Sequence, residues 1–208
     1  SCADEYVYGI CERLNPEAPV PILRETRVET QKGMAWNVRE NLKSFGIETH
    51  ILTQEERIIK RRFIDERYNQ QILRVDVEED SKPLDYDLPQ EYFDALVISD
   101  YDKGFITSSR IFDLAEKFDG PVFIDSKKRH LPVEHAFIKI NEEEYSKLSY
   151  KSENLIVTRG SKGADYQGKN YPAVGVSVFD VCGAGDTFLS ALVYFYLLYG
   201  KIDKAIPY

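Results

Sequence analysis

Ala95-Leu-Val-Ile-Ser99, Pro121-Val-Phe-Ile124, Ala136-Phe-Ile-Lys-Ile140 and Leu155-Ile-Val-Thr158 are four short apolar runs. A helix capped by Thr107 separates the first two, and a short helix starting at Asn141 separates the last two. Apolar strands of this length, alternating with helices, predict a parallel sheet covered on both faces. Most of them end on polar residues: Ser99-Asp100, Asp125-Ser126, Asn141 and Thr158-Arg159. Ligands of open parallel sheets bind outside the carboxyl ends of the strands, so these residues mark one functional rim.

Upstream the grammar differs. Ala18 to Thr30 turns β-biased after its early prolines. Gly33 to Phe45 then predicts a helix with Ala35, Val38, Leu42 and Phe45 on one face and Gly46 as its stop. Ile58 to Ile64 and Gln71 to Val77 read as half-exposed strands joined by a turn at Tyr68-Asn69, with Lys and Arg at 60, 61, 62, 67 and 74. Downstream, Gly163-Ala-Asp-Tyr-Gln-Gly-Lys-Asn170 nearly matches a Walker A loop. Asn170 stands where a magnesium-binding hydroxyl is required, and Tyr171-Pro172 follows instead of a helix. That segment is read as a hairpin.

The 208 residues suit one domain with a real core. Twenty-seven Lys and Arg against thirty-five Asp and Glu give a net charge of −8, which argues against a sequence-independent grip on nucleic acid. Cys2, Cys11 and Cys182 have no paired spacing, so reduced thiols in the cytoplasm are expected. The longest apolar run, Phe188 to Tyr199, is twelve residues and short of the roughly 20 that span a bilayer. It reads as a buried helix. Asp4, Glu5 and Glu12 interrupt the first residues, so no apolar leader is expected in them.

Chemistry concentrates in Asp180-Val-Cys-Gly-Ala-Gly-Asp-Thr187, just before that apolar helix. Gly183 and Gly185 permit a tight turn, and the helix start aims unpaired N–H groups at one point, as an anion requires. Asp186 in the same turn, kept ionised by the helix dipole, could take a proton from a hydroxyl. An anion cradle beside a base suits phosphoryl transfer to an alcohol. The eight residues equally allow a glycine loop whose Asp merely caps the helix. Gly183-Ala-Gly185 does not continue as a dinucleotide fingerprint, because Phe188 occupies the third glycine position.

Asn141-Glu-Glu-Glu144 could hold hydrated Mg²⁺ beside a triphosphate. An acidic first turn complementing its helix dipole looks the same. Asp100-Tyr-Asp-Lys-Gly104 could offer Lys103 to an anionic substrate, or be a plain turn. His50, His130 and His135 show no ligand spacing.

Taken in order, Asn15-Pro-Glu-Ala-Pro-Val-Pro21, Tyr68-Asn-Gln-Gln-Ile-Leu-Arg74, Ser99-Asp-Tyr-Asp-Lys-Gly104 and Asp180 to Thr187 resemble the ribokinase (PfkB) superfamily of sugar kinases. More closely they resemble the bacterial heptose 7-phosphate kinases, the kinase half of bifunctional heptose-nucleotide enzymes. The resemblance runs from about Asp4 to Leu198. It implies a single ribokinase-like α/β domain over 1–208, mainly parallel sheet between helices, with a small β lid from segments near 5–32 and 56–80. It implies ATP and Mg²⁺ as cofactors and a sugar phosphate as acceptor, with Asp186 as base and Gly183, Ala184 and Gly185 as anion hole. Asn141 and Glu144 match the element that organises Mg²⁺ through water, and Thr158, Gly160 and Gly163 match the loop beside the nucleotide. Asp4, Gly33, Asn37 and Lys103 fall at sugar-phosphate positions. A cytoplasmic homodimer joined through the lid is implied, with no nucleic-acid or membrane partner.

Departures from the pattern bear on substrate. Gly33-Met-Ala-Trp-Asn-Val38 stands where the family has Gly-Gly-Ala-Ala-Asn-Val, so Met34 and Trp36 are expected to add bulk near the sugar. Cys182 replaces a Thr or Ser. The family's first strand and its C-terminal helices are expected to be missing from this sequence. The alternatives are another carbohydrate or nucleoside kinase of this type, and a non-catalytic sugar- or nucleotide-binding protein.

Overall fold

Two sheets divide the chain in the computed structural model, which describes residues 1–85, 87–89, 91–131, 133–149, 151–173 and 183–208. The first has four strands: β1 (Cys2–Leu14), β2 (Pro21–Gly33), β3 (Ile58–Asp65) and β4 (Gln70–Glu78), in the order β2-β1-β3-β4. The helix α1 (Ala35–Ser44) follows β2. The second sheet holds β5 (Leu96–Asp100), β6 (Val122–Ser126), β7 (Phe137–Asn141) and β8 (Leu155–Thr158), all parallel. It is completed by the antiparallel hairpin β9 (Ala164–Tyr166) and β10 (Lys169–Tyr171), in the order β10-β9-β8-β7-β6-β5. The near-match to a Walker A loop is therefore this hairpin, as its flanking tyrosines predict.

Helices α2 (Ser108–Lys117) and α3 (Glu142–Lys147) connect the parallel strands, and α4 (Ala184–Tyr199) and α5 (Ile202–Ala205) close the chain. Thr107 caps α2 as expected, its hydroxyl accepting the Arg110 amide at 3.1 Å. The strands are apolar throughout because each face buries a different set. Val122, Ile124, Ile138, Ile140, Leu155 and Val157 pack with Ile111, Leu114 and Ala115 of α2. Phe123 and Ile156 face the other way, onto Leu189, Leu192 and Val193 of α4 and Val38 and Leu42 of α1. The strand period of two sorts neighbours onto these two layers.

The four-stranded sheet reaches the larger unit through Cys2, Met34 and Ile58, against which Tyr101 packs. Its register puts Val28, Val7, Phe63 and Leu73 in one cross-strand row. Val28, Leu73, Val75 and Val77 are exposed on that sheet. No helix among the described residues is long and apolar enough to cross a membrane.

Candidate active site

The start of α4 organises the site. Gly183 takes a left-handed conformation (φ 76°) as the N-cap, and its carbonyl accepts the Thr187 amide at 2.9 Å. Gly185 is pressed against β7: a Cβ there would lie 2.8 Å from Lys139 Nζ. Ala184 sits between the two glycines in the first turn. Asp186, next in that turn, is buried. Residues 180–182 of the motif lie outside the described residues.

Two donors fix the Asp186 carboxylate. The Asn37 side-chain amide donates to Oδ2 at 2.8 Å, and the Tyr101 phenol donates to Oδ1 at 2.9 Å. Burial, and then the Asp186 charge, push the Tyr101 phenol far above its ordinary pKa, so it remains a donor. The ammonium groups of Lys60 and Lys127 stand 5.1 Å and 5.2 Å from the Tyr101 ring centre. Asn37 comes from the first turn of α1, which begins at Met34 in a backbone conformation (φ 56°) rare for a side-chain-bearing residue. Met34 is itself buried with Cys2 and Ile58 beneath Tyr101 rather than lining the cleft. Trp36 lies between Lys32 and Arg39, ring centre to cation 4.1 Å and 4.9 Å.

A cleft of about 150 Å³ opens over these groups, lined among others by Tyr101, Lys127, Lys139, Asn141, Glu144 and Asp186. On its floor the buried Lys139 meets Asp125 at 2.6 Å. Burial pushes the Asp125 carboxyl up, against the opposing pull of Lys139. Asn141 and Glu144 form a reciprocal capping box on α3: each side chain accepts the other's backbone N–H, at 2.8 Å and 2.9 Å. Glu144 also binds Lys127 at 2.8 Å. Burial would raise Glu144, but the Asn141 amide and then Lys127 outweigh it and hold the carboxyl below its ordinary pKa.

Among the described residues, no cluster of three His, Cys, Asp or Glu side chains is placed to grip a metal ion directly. One engaged carboxylate and an amide suit a hydrated cation held chiefly by phosphates, which is how Mg²⁺ commonly binds.

A broader groove of about 580 Å³ is lined by Asn141, Glu142, Glu143, Ser146, Thr158, Arg159 and Gly160. Asn141 borders both hollows, so they meet at the head of α3. Gly163 lines neither and instead packs its Cα against the β10 backbone.

The remaining residues singled out from the sequence lie toward the small sheet. Asp4 pairs with Arg62 at 2.5 Å, and Gly33 backs directly onto the Asp4 carboxylate. Lys103 pairs with Glu78 of β4 at 2.5 Å and does not line the cleft around Asp186. Tyr101, Lys127 and Lys139 line the cleft without having been singled out from the sequence, and Asp125 was marked there only as part of the rim. Tyr101 lay inside a quoted segment. Lys139 sat unnoticed in an apolar strand.

Comparison with known proteins agrees with this architecture. The pfkB family carbohydrate kinase profile matches residues 135–208. A bifunctional protein HldE from Nitratiruptor sp. is 29% identical, over 92% of this chain and 54% of its own length. Another from Haemophilus influenzae is 30% identical, over 91% of this chain and 52% of its own. The chain thus spans about half the length of the curated relatives it matches. A Methanocaldococcus jannaschii nucleoside kinase superposes with a TM-score of 0.64 at 16% identity, covering 98% of this chain and 84% of that one. The Cryptococcus neoformans ribokinase in complex with ADP gives 0.62 at 18%, covering 98% and 87%. By fold the chain is ribokinase-like, and by sequence it is similar to the HldE proteins and, over the segment that carries Lys139, Asn141 and Asp186, to the PfkB carbohydrate kinases.

Proposed function

We propose that this chain is an ATP-dependent kinase that phosphorylates a sugar phosphate, with heptose 7-phosphate going to the 1,7-bisphosphate. The observation that carries this reading is the Asp186 carboxylate. It is held by Asn37 and Tyr101 in the first turn of a glycine-capped helix, beside a cleft that Lys127 and Lys139 line together with Asp100, Asp125 and Glu144.

In this reading Asp186 takes the proton of the acceptor hydroxyl while that oxygen attacks the γ-phosphorus. The N–H groups of the Gly183–Gly185 turn face the transferring group, and catalysis is positioning plus electrostatics. ATP lies along the broader groove by Thr158 and Gly160, its phosphates meeting the acceptor where Asn141 joins the two hollows. When bound, Mg²⁺ neutralises phosphate charge, and Asn141 and Glu144 would hold it through its waters. Asp4 and Gly33 border the acceptor from the small sheet, Lys103 borders it from the loop after β5, and that sheet acts as its lid. The Cryptococcus relative's complex with ADP supports the nucleotide assignment. ATP availability and the reduced Cys2 and Cys11 thiols suit a cytoplasmic enzyme.

ADP release from Mg·ATP should depend on the acceptor, with heptose 7-phosphate preferred over ribose and nucleosides. A preference for one of the latter would move the substrate within the fold. ATP binding without any acceptor-dependent turnover would favour a binding protein.

Tyr101→Phe removes one of the two donors that orient the Asp186 carboxylate. In this reading kcat should fall about tenfold while the KM for ATP stays within a few-fold. An unchanged kcat would show that the phenol does not act on the base.

The exposed Val28, Leu73, Val75 and Val77 on the small sheet support a homodimer joined there. Sedimentation should find a dimer, and Val75→Glu, on the exposed stripe of β4, should shift it to monomer. A monomeric unmodified chain at micromolar concentration would reject this.

A further inference from the structure

Asp125 and Lys139 are direct partners in the parallel register of β6 and β7. The strand period places them on the α4 side of the sheet, with Phe123 and Phe137. A buried ion pair is a weak way to stabilise a core, because taking both charges out of water offsets most of their attraction. Position 139 lies between Ile138 and Ile140 and is 5% exposed, so an apolar residue would serve packing better. The lysine has a further use to explain.

Its direction supplies one. Lys139 Nζ lies against the Cα of Gly185, close enough that a single added methyl would come within 2.8 Å. Its charge therefore stands where the first turn of α4 presents its N–H groups, one residue from Asp186. Both Lys139 and Asp186 line the same cleft. Asp125 is its ion-pair partner among the described residues, and an ammonium has three N–H donors. Lys127 differs, since it is spent on Glu144 and is more exposed. Lys60 differs too, standing over the Tyr101 ring from the small sheet.

We propose that Lys139 is a phosphate-contacting residue of the transfer step, its ammonium binding the γ-phosphoryl oxygens, and that Asp125 is the positioning residue that holds it under the glycine turn. The proposal rests on the kinase reading above. In that step the acceptor oxygen bonds to the γ-phosphorus and its proton passes to Asp186. The bond from the γ-phosphorus to the β,γ-bridging oxygen breaks, and its electron pair leaves with ADP. Lys139 and the α4 amides lie against the three remaining oxygens, where charge must be met throughout.

Asp125→Asn and Lys139→Gln both break the ion pair, but only the second removes the cation. The double variant replaces it with a neutral amide pair and leaves no buried charge, so it keeps the fold if either single variant fails to. Melting temperature, calorimetric binding of ATP and of inorganic tripolyphosphate, and turnover would be measured on all four proteins. Tripolyphosphate should bind Asp125→Asn within a few-fold of the unmodified chain. It should bind the two variants lacking the lysine about tenfold more weakly or worse. Turnover in those two should fall about a hundredfold. Unchanged tripolyphosphate binding in a folded double variant would overturn the proposal and leave a structural ion pair. An unmodified chain that binds neither ATP nor tripolyphosphate would overturn the kinase reading, and the role of Lys139 with it.

Discussion

Asp186→Asn is expected to lower kcat by about 10²- to 10⁴-fold, the range that a positioned general base supplies. The substitution keeps the side chain's size. Its amide oxygen can still accept from Asn37 at the 2.8 Å site, and its NH₂ can donate to the Tyr101 oxygen at the 2.9 Å site. Packing against the start of α4 is therefore retained, and stability should stay within about 1 kcal/mol. What disappears is the acceptor for a proton. Calorimetry should find ATP binding nearly unchanged, since the groove proposed for the nucleotide does not include position 186. Turnover and binding read together separate the chemistry from the fold: lost turnover with retained ATP binding supports the base. Full turnover in the variant would remove Asp186 from the reaction.

The largest expected effect on stability lies elsewhere, at Gly163→Ala. Gly163 has φ 91°, and an added Cβ would fall 1.9 Å from the Tyr171 carbonyl oxygen, 2.7 Å from the Ala173 nitrogen and 2.8 Å from the Pro172 carbonyl carbon. All three are backbone atoms, so no side chain can swing away. A side chain in that backbone region costs about 1–3 kcal/mol. Forcing the strand aside adds about 1–3 kcal/mol more. At this chain length the melting temperature should drop by about 10 °C. The turn also aligns neighbours, because the Arg159 amide donates to the Gly163 carbonyl at 2.7 Å and Arg159 lines the broader groove. The KM for ATP should therefore rise as well. A variant with an unchanged melting temperature and only a raised KM would make Gly163 a nucleotide contact rather than a steric necessity.

These two positions show how far the sequence could be read. The apolar runs at Leu96, Val122, Phe137 and Leu155 announced a covered parallel sheet because nothing but burial on both faces explains them. The glycine turn before α4 was legible because helix starts obey local rules. Asn37 was reached only through the resemblance, since 149 residues separate it from Asp186. Asp125 and Lys139 become a pair only when β6 and β7 are set in register, and one sequence does not carry that register. Tyr101 was missed for a related reason. Its phenol reaches Asp186 because Cys2, Met34 and Ile58 support its ring from two segments of the small sheet and the head of α1. Met34 illustrates a local rule overruled: its left-handed backbone suits glycine, and burial with Cys2 and Ile58 holds it there. The bulk of Met34 therefore lies beneath Tyr101 and outside the cleft around Asp186.

Phosphoryl transfer to the sugar is read directly by ³¹P NMR of the purified chain with Mg·ATP and heptose 7-phosphate, followed over time. A new glycosyl phosphate resonance on the sugar should grow in step with ADP and be absent with Asp186→Asn. An unchanged ATP spectrum, or inorganic phosphate as the product in place of a sugar bisphosphate, would overturn the kinase reading.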